Sequence, residues 1–181
     1  MASQLTVDNI VGATTANTVH LPGHVIQVVS AEKTDTTAYN STLGTWTDAG
    51  LSCTITPKFN NSKILVQVDI AVGNTVAVFN YVRVVRNIGG GSYSMISEAA
   101  TPGSRNAIHG MTYENSNEGI VNMQAFTFLD SPATTSAVIY KIQGATSGTA
   151  YCYVGQSNRD RDGGDYDPRA TSRIVLQEIA Q

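Results

Sequence analysis

Charge is scarce in this chain. Lys, Arg, Asp and Glu make up 14% of its 181 residues, against roughly 25% in an ordinary soluble domain. The few Lys and Arg are scattered, and the net charge is −3 at pH 7. Nucleic-acid binding is therefore not expected, because neutralising phosphates takes a basic stripe. No run of about 18 apolar residues occurs, so no membrane insertion is expected either. The opening Met1 to Asp8 lacks the basic flank and apolar stretch of a secretory signal and reads as a finished start. Cysteine occurs twice, at Cys53 and Cys152, about a hundred residues apart and outside any Cys-x-x-Cys pair. The reading is two reduced, buried, small apolar residues rather than a disulfide, as suits synthesis in a reducing cytoplasm.

Tryptophan occurs once. Trp46 lies between Gly44 and Gly50, where it fits a core, a subunit interface or a carbohydrate face. The three histidines, His20, His24 and His109, are too dispersed for a metal site, and no Gly-x-Ser-x-Gly elbow is present. Gly89-Gly90-Gly91 lies between two strand patterns without a following Lys-Ser/Thr, so it reads as a hairpin loop rather than a phosphate cradle. Glu98, Glu114, Glu118 and Asp130 would have to converge in space to act as a glycosidase pair, and nothing in the sequence favours that. No catalytic residue, cofactor or metal site is assigned, and the chain is expected not to be an enzyme.

What the sequence does have is alternation. From Lys63 to Val72, residues Ile64, Val66, Val68, Ile70 and Val72 fall on one face of an extended segment and Gln67 and Asp69 on the other. Val76 to Arg86 places Val76, Val78, Val82 and Val84 on one face and Phe79, Tyr81 and Val85 on the other. Gly73-Asn74-Thr75 between these two reads as a hairpin connection. Further strands are expected at Val25–Val29, Leu51–Thr56, Ser92–Ser97, Ile120–Leu129, Val138–Gln143, Ala150–Gly155 and Arg173–Ile179. Apolar residues at helical spacing are missing, so helix should be nearly absent. The fold class is all-β, a jelly-roll-like β-sandwich head over residues 24–181.

Three segments stand apart. Residues 1–23 have too little apolar area to fold alone; Leu5, Val7, Ile10, Val19 and Leu21 are read as an extended attachment and oligomerisation arm that needs partner chains. Ala99 to Glu118 reads as a long surface excursion around the lone His109. A second excursion, Gln156 to Ser172, holds Arg159, Asp160, Arg161, Asp162, Asp165, Tyr166, Asp167 and Arg169. Its four closely spaced carboxylates invite a calcium reading, but the calcium-loop spacing and terminal Glu are missing, and internal Arg–Asp pairing is the alternative. Arg159, Arg161, Asp165, Tyr166 and Arg169 are the candidate receptor contacts, on the polar-aromatic makeup of the loop.

Met1-Ala2-Ser3-x-Leu5-x-Val7-Asp8-x-Ile10, then Pro22-Gly23-His24-Val25-Ile26-Gln27-Val28-Val29, then Gly50 to Pro57 running into Ser62-Lys63-Ile64-Leu65-Val66, resemble fibre-type virion structural proteins of tailed bacteriophages, notably those of cyanobacteria and marine bacteria. Ser172 to Ile179 resembles that family's closing strand. The resemblance touches both ends of the chain, while the middle carries none of it. It implies a virion component made in the host cytoplasm: a homotrimer whose arm meets other virion proteins and whose head contacts a host surface glycan or protein. A capsid-decorating or head-fibre protein is the structural alternative. A polysaccharide depolymerase is disfavoured by the short chain and the lack of a repetitive β-helix pattern.

Overall fold

A computed structural model of the chain describes residues 21–75, 77–115, 119–162 and 165–181. Among them there is no helix. Eleven strands run in the order β1 (Val25–Lys33), β2 (Thr37–Tyr39), β3 (Thr47–Ile55), β4 (Lys63–Asn74), β5 (Phe79–Ile88), β6 (Ser94–Met95), β7 (Gly110–Tyr113), β8 (Val121–Asp130), β9 (Val138–Thr146), β10 (Cys152–Val154) and β11 (Ser172–Ile179). They form a two-layer, antiparallel β-sandwich. One sheet runs β1-β11-β4-β8, with β10 and β2 continuing beside the far end of β4. The opposed sheet runs β3-β9-β5, with β6 and β7 sharing the outer side of β5.

The pairing is nested. β1 meets β11, β3 meets β9, β4 meets β8 and β5 meets β7, as in one long hairpin wound into two layers. Two closures, β11 on β4 and β9 on β5, finish the sheets. Long-range pairing of this kind turns one face of each sheet toward a shared core. β4 occupies the middle because its inward set, Ile64, Val66, Val68, Ile70 and Val72, is 1% exposed or less throughout. Each such side chain contributes roughly 1.5–3 kcal/mol relative to leaving it in water. Ile174 and Leu176 of β11 and Tyr140 and Ile142 of β9 close the core from either side.

Both cysteines are free and buried, as expected. Burial raises the Cys53 thiol and pushes Cys152 up to about 12. Each is therefore held as a protonated, inert thiol.

Gly73-Asn74-Thr75 is not a hairpin. β4 continues through Asn74 and the chain then crosses to the opposite sheet before β5 begins at Phe79; Val76 lies outside the described residues. Gly73 and Asn74 are there for other reasons than turning. A Cβ on Gly73 would lie 2.3 Å from the Gln156 carbonyl oxygen, so only glycine lets the following loop cross β4. Asn74 is fully buried and accepts from Thr112 Oγ1 at 2.9 Å and from Asn80 Nδ2 at 3.4 Å. The Tyr39 hydroxyl donates to Asn80 in turn. A polar thread thus joins the two sheets through their interior, with its members satisfied by one another.

The segment read as a surface excursion around His109 is also more structured than its composition suggests. Gly110–Tyr113 forms β7 on β5. His109 itself bridges the gap on the β5 edge between β6 and β7. Its Nδ1 accepts the Val84 N–H at 2.9 Å and its Nε2 donates to the Ile96 carbonyl at 2.9 Å, so the ring replaces a missing rung of backbone ladder. Phe128 packs against it with centroids 4.4 Å apart. Ser92–Ser97 contributes only the two-residue β6, and Thr37–Tyr39 is a strand too short for alternation to reveal.

Burial lowers the pKa of His109 below its ordinary value, with hydrogen bonds to the Ile96 and Ser97 carbonyls opposing the shift. The neutral ring is the native form, so its stabilisation is complete above the unfolded value near 6.5. It is lost as pH falls from there toward the lower folded value, by at most about 1.4 kcal/mol per pH unit. Urea midpoints should decline between pH 7 and pH 5, and His109→Gln should flatten that slope. An equal slope in the variant would remove His109 from the account.

Candidate functional site

The loop after β10 resolves into a knot of internal ion pairs. Asp167, whose side chain is fully shielded, accepts from Arg159 Nε at 2.8 Å, Arg161 Nε at 3.3 Å and Ser157 Oγ at 3.1 Å. Burial opposes its ionisation, but these donors outweigh burial and hold the carboxyl below its usual range. Arg159 also donates to the Tyr166 carbonyl at 2.8 Å, and Arg169 pairs with Asp160 at 2.7 Å. The carboxylates of Asp160 and Asp167 are thus already engaged by arginine, which argues for the pairing reading over a calcium loop. Among the candidate contacts, Arg159, Arg161 and Arg169 spend donors inside the loop, Asp165 is exposed, and Tyr166 projects with 68% of its surface open. Gly163 and Gly164 lie outside the described residues.

Of the arm residues, Leu5, Val7, Ile10 and Val19 also lie outside the described residues. Leu21 is exposed, and the chain joins the sandwich where Gly23 N donates to the Ala180 carbonyl at 2.8 Å. Of the acids weighed as a hydrolytic pair, Glu118 lies outside the described residues, and Glu114 and Asp130 do not converge. Glu114 accepts from Asn122, at one end of β8, whereas Asp130 closes the other end. Eight residues of strand separate those ends, about 26 Å. Asp130 is bound by Arg86 and accepts from the Tyr140 hydroxyl at 2.7 Å. Among the described residues, no group of three or more His, Cys, Asp or Glu side chains is placed to hold a metal.

The two outer sheet faces differ. On the β1-β11-β4-β8 sheet, register aligns Val28, Gln177, Leu65 and Leu129 in one row and Ser30, Val175, Gln67 and Thr127 in the next. Val28, Met123 and Leu129 expose 56%, 56% and 53% of their surface. The charges on this face are balanced: alternation brings Glu32, Asp69, Arg173 and Lys63 to it, and Arg173 Nε donates to Asp69 at 2.7 Å. β8 pairs with β4 alone among the described residues, leaving a ten-residue edge.

The other face carries a row of planar groups across three strands. Arg83 stacks over Trp46, 4.2 Å from the ring centroid, and its Nε and Nη2 both donate to Gln143 Oε1, at 3.0 and 2.8 Å. Gln143 Nε2 donates to Asp48 at 3.2 Å, and Lys141 Nζ bonds the same carboxylate at 2.7 Å. The Lys141 ammonium lies 3.6 Å from the centroid of Tyr93. Trp46 is half-buried on this surface, not in the core. The other five were not singled out in the sequence, and they come together by register alone. One local signal existed: Gly50, inside β3, has φ of +80°, a conformation favouring glycine.

No protein-family model matches the chain, and no curated protein sequence matches it. Among solved structures, it is similar to a chain of infectious bursal disease virus, Gx strain, with TM-score 0.43 and 13% identity over 99% of this chain and 43% of that one. It is also similar to a chain of the Gt strain, with TM-score 0.44 and 12% identity over 100% of this chain and 43% of the other. The chain therefore spans less than half the length of those neighbours, and a likeness of this degree carries no functional argument.

Proposed function

We propose that the chain is a non-enzymatic structural module of a virion, a jelly-roll-like head that assembles with two further copies of itself and presents its remaining surface to the host. The observation that carries self-assembly is the outer face of the β1-β11-β4-β8 sheet. Three large apolar side chains there are more than half exposed, and a long, nearly uncharged edge strand adjoins them. Monomeric proteins normally guard such edges with charge, proline or a covering segment. A second copy is the partner that fits, because balanced charges on the face let like surfaces meet without net repulsion. Nested strand pairing supports the jelly-roll reading. The residue resemblance to tailed-phage fibre proteins at both ends of the chain supports the virion address and the threefold number. Antibody labelling of particles distinguishes a tail fibre from a capsid decoration.

Met123→Lys combined with Leu129→Lys tests the face. Both sites are exposed, so the fold should keep its unfolding midpoint within a few degrees while the assembly falls to the 19.2 kDa chain. A double variant with unchanged assembly mass would show that copies meet elsewhere.

A further inference from the structure

From the row of planar side chains on the outer face of β3, β9 and β5, we infer a binding site for a neutral hexopyranose residue of a polysaccharide. The site begins at the bulge in β3. Asp48 opposes Gln143 and Ser52 opposes Lys141, so three residues of β3 span the width of one on β9. The extra backbone opens a depression of about 210 Å³ lined by Asp48, Gly50, Ser52, Lys141 and the ring of Tyr93. Pockets for drug-sized ligands measure roughly 300–1,000 Å³, so this smaller space suits a single sugar ring.

Its chemistry matches such a ring. A pyranose offers an apolar C–H face and a rim of hydroxyls that both donate and accept. Tyr93, 39% exposed, supplies an aromatic wall. The Asp48 carboxylate, with its side chain 57% exposed, keeps lone pairs beyond those engaged by Lys141 and Gln143. The Ser52 hydroxyl can donate or accept. Lys141 holds Asp48 and Tyr93 in place, and Gln143 holds Asp48, before any ligand arrives, which lowers the ordering cost of binding. The Lys141–Asp48 pair leaves little local field for a phosphate or sulfate, so a neutral sugar is the better match. Beyond the depression the row continues through Gln143 to Arg83, which stacks on Trp46, two residues before Asp48 in the chain. This second aromatic side chain marks the path of a longer chain.

This assignment deepens the host-contact part of the proposed function and rests on it for the source of the sugar alone. Binding by the purified full chain tests the site; adsorption of particles to host cells tests the source. The probe is a panel of immobilised neutral gluco-, galacto- and manno-oligosaccharides of one to six residues, with heparin and a sialylated glycan as charged comparators. At least one neutral series should bind. Tyr93→Ala and Asp48→Ala should each weaken it tenfold or more, with the unfolding midpoint recorded for both. Trp46→Ala should weaken the longer oligosaccharides and leave the shortest binder unchanged. Absence of binding to every neutral series at millimolar concentration, binding confined to the charged comparators, or equal affinity in folded Tyr93→Ala and Asp48→Ala would each overturn the assignment.

Discussion

Replacing Glu178 with alanine is expected to lower the unfolding free energy by about 3 kcal/mol, among the largest effects of any single polar change in the protein. Glu178 is fully buried near the end of β11. Its Oε1 accepts the backbone N–H groups of Lys58 at 2.7 Å and Phe59 at 3.3 Å, and its Oε2 accepts from Gln27 Nε2 at 2.6 Å. Lys58 and Phe59 belong to the corner where the chain leaves β3 in one sheet for β4 in the other. Gln27, on β1, also donates to the Thr56 carbonyl at 2.7 Å. One carboxylate therefore fastens the closing strand, the first strand and the inter-sheet corner. Its removal leaves two backbone donors without the acceptor they were folded around, and each buried unsatisfied group costs roughly 1–3 kcal/mol. Glu178→Gln keeps one carbonyl acceptor and should lose less than alanine. Chemical denaturation of both variants checks the order, and an alanine loss under 1 kcal/mol would show that water satisfies the corner.

Gly144→Ala should be comparably destructive, by about 3 kcal/mol, the upper end of what overpacked cores show. The added Cβ would lie 2.2 Å from Cζ and 2.4 Å from Cε2 of Tyr39. Tyr39 is 2% exposed and its hydroxyl is tied to Asn80 within the interior polar thread, so the ring has nowhere to retreat. Relief requires β9 to move away from β2, which would also loosen the join between the sheets. Tyr39→Ala in the Gly144→Ala background should cost less than the two single changes added together, because the clash is gone. Strict additivity in that double-mutant cycle would mean that the two residues do not oppose each other as described.

The strands that were legible in the sequence are those whose buried set is unbroken. Lys63 to Val72 could be read directly because five β-branched side chains recur at every second position and all point inward. β7 could not, since its inward positions hold Gly110 and Thr112, which bear no apolar signal. Gly73 and Asn74 misled for a different reason: their types are those of turns, yet one is glycine to admit a crossing backbone and the other is a buried polar link. Composition reports residue type and not what surrounds it. The candidate site was harder still. Trp46 stood out by rarity, but Asp48, Arg83, Lys141 and Gln143 are neighbours only through the pairing register of three strands distant in sequence.

Self-association is the claim on which the proposed role depends, and the absolute mass of the purified full chain in solution tests it most directly. Light scattering across a concentration series after size-exclusion chromatography should give three times the 19.2 kDa chain mass, stable to dilution. A species of 19.2 kDa at every concentration would contradict it.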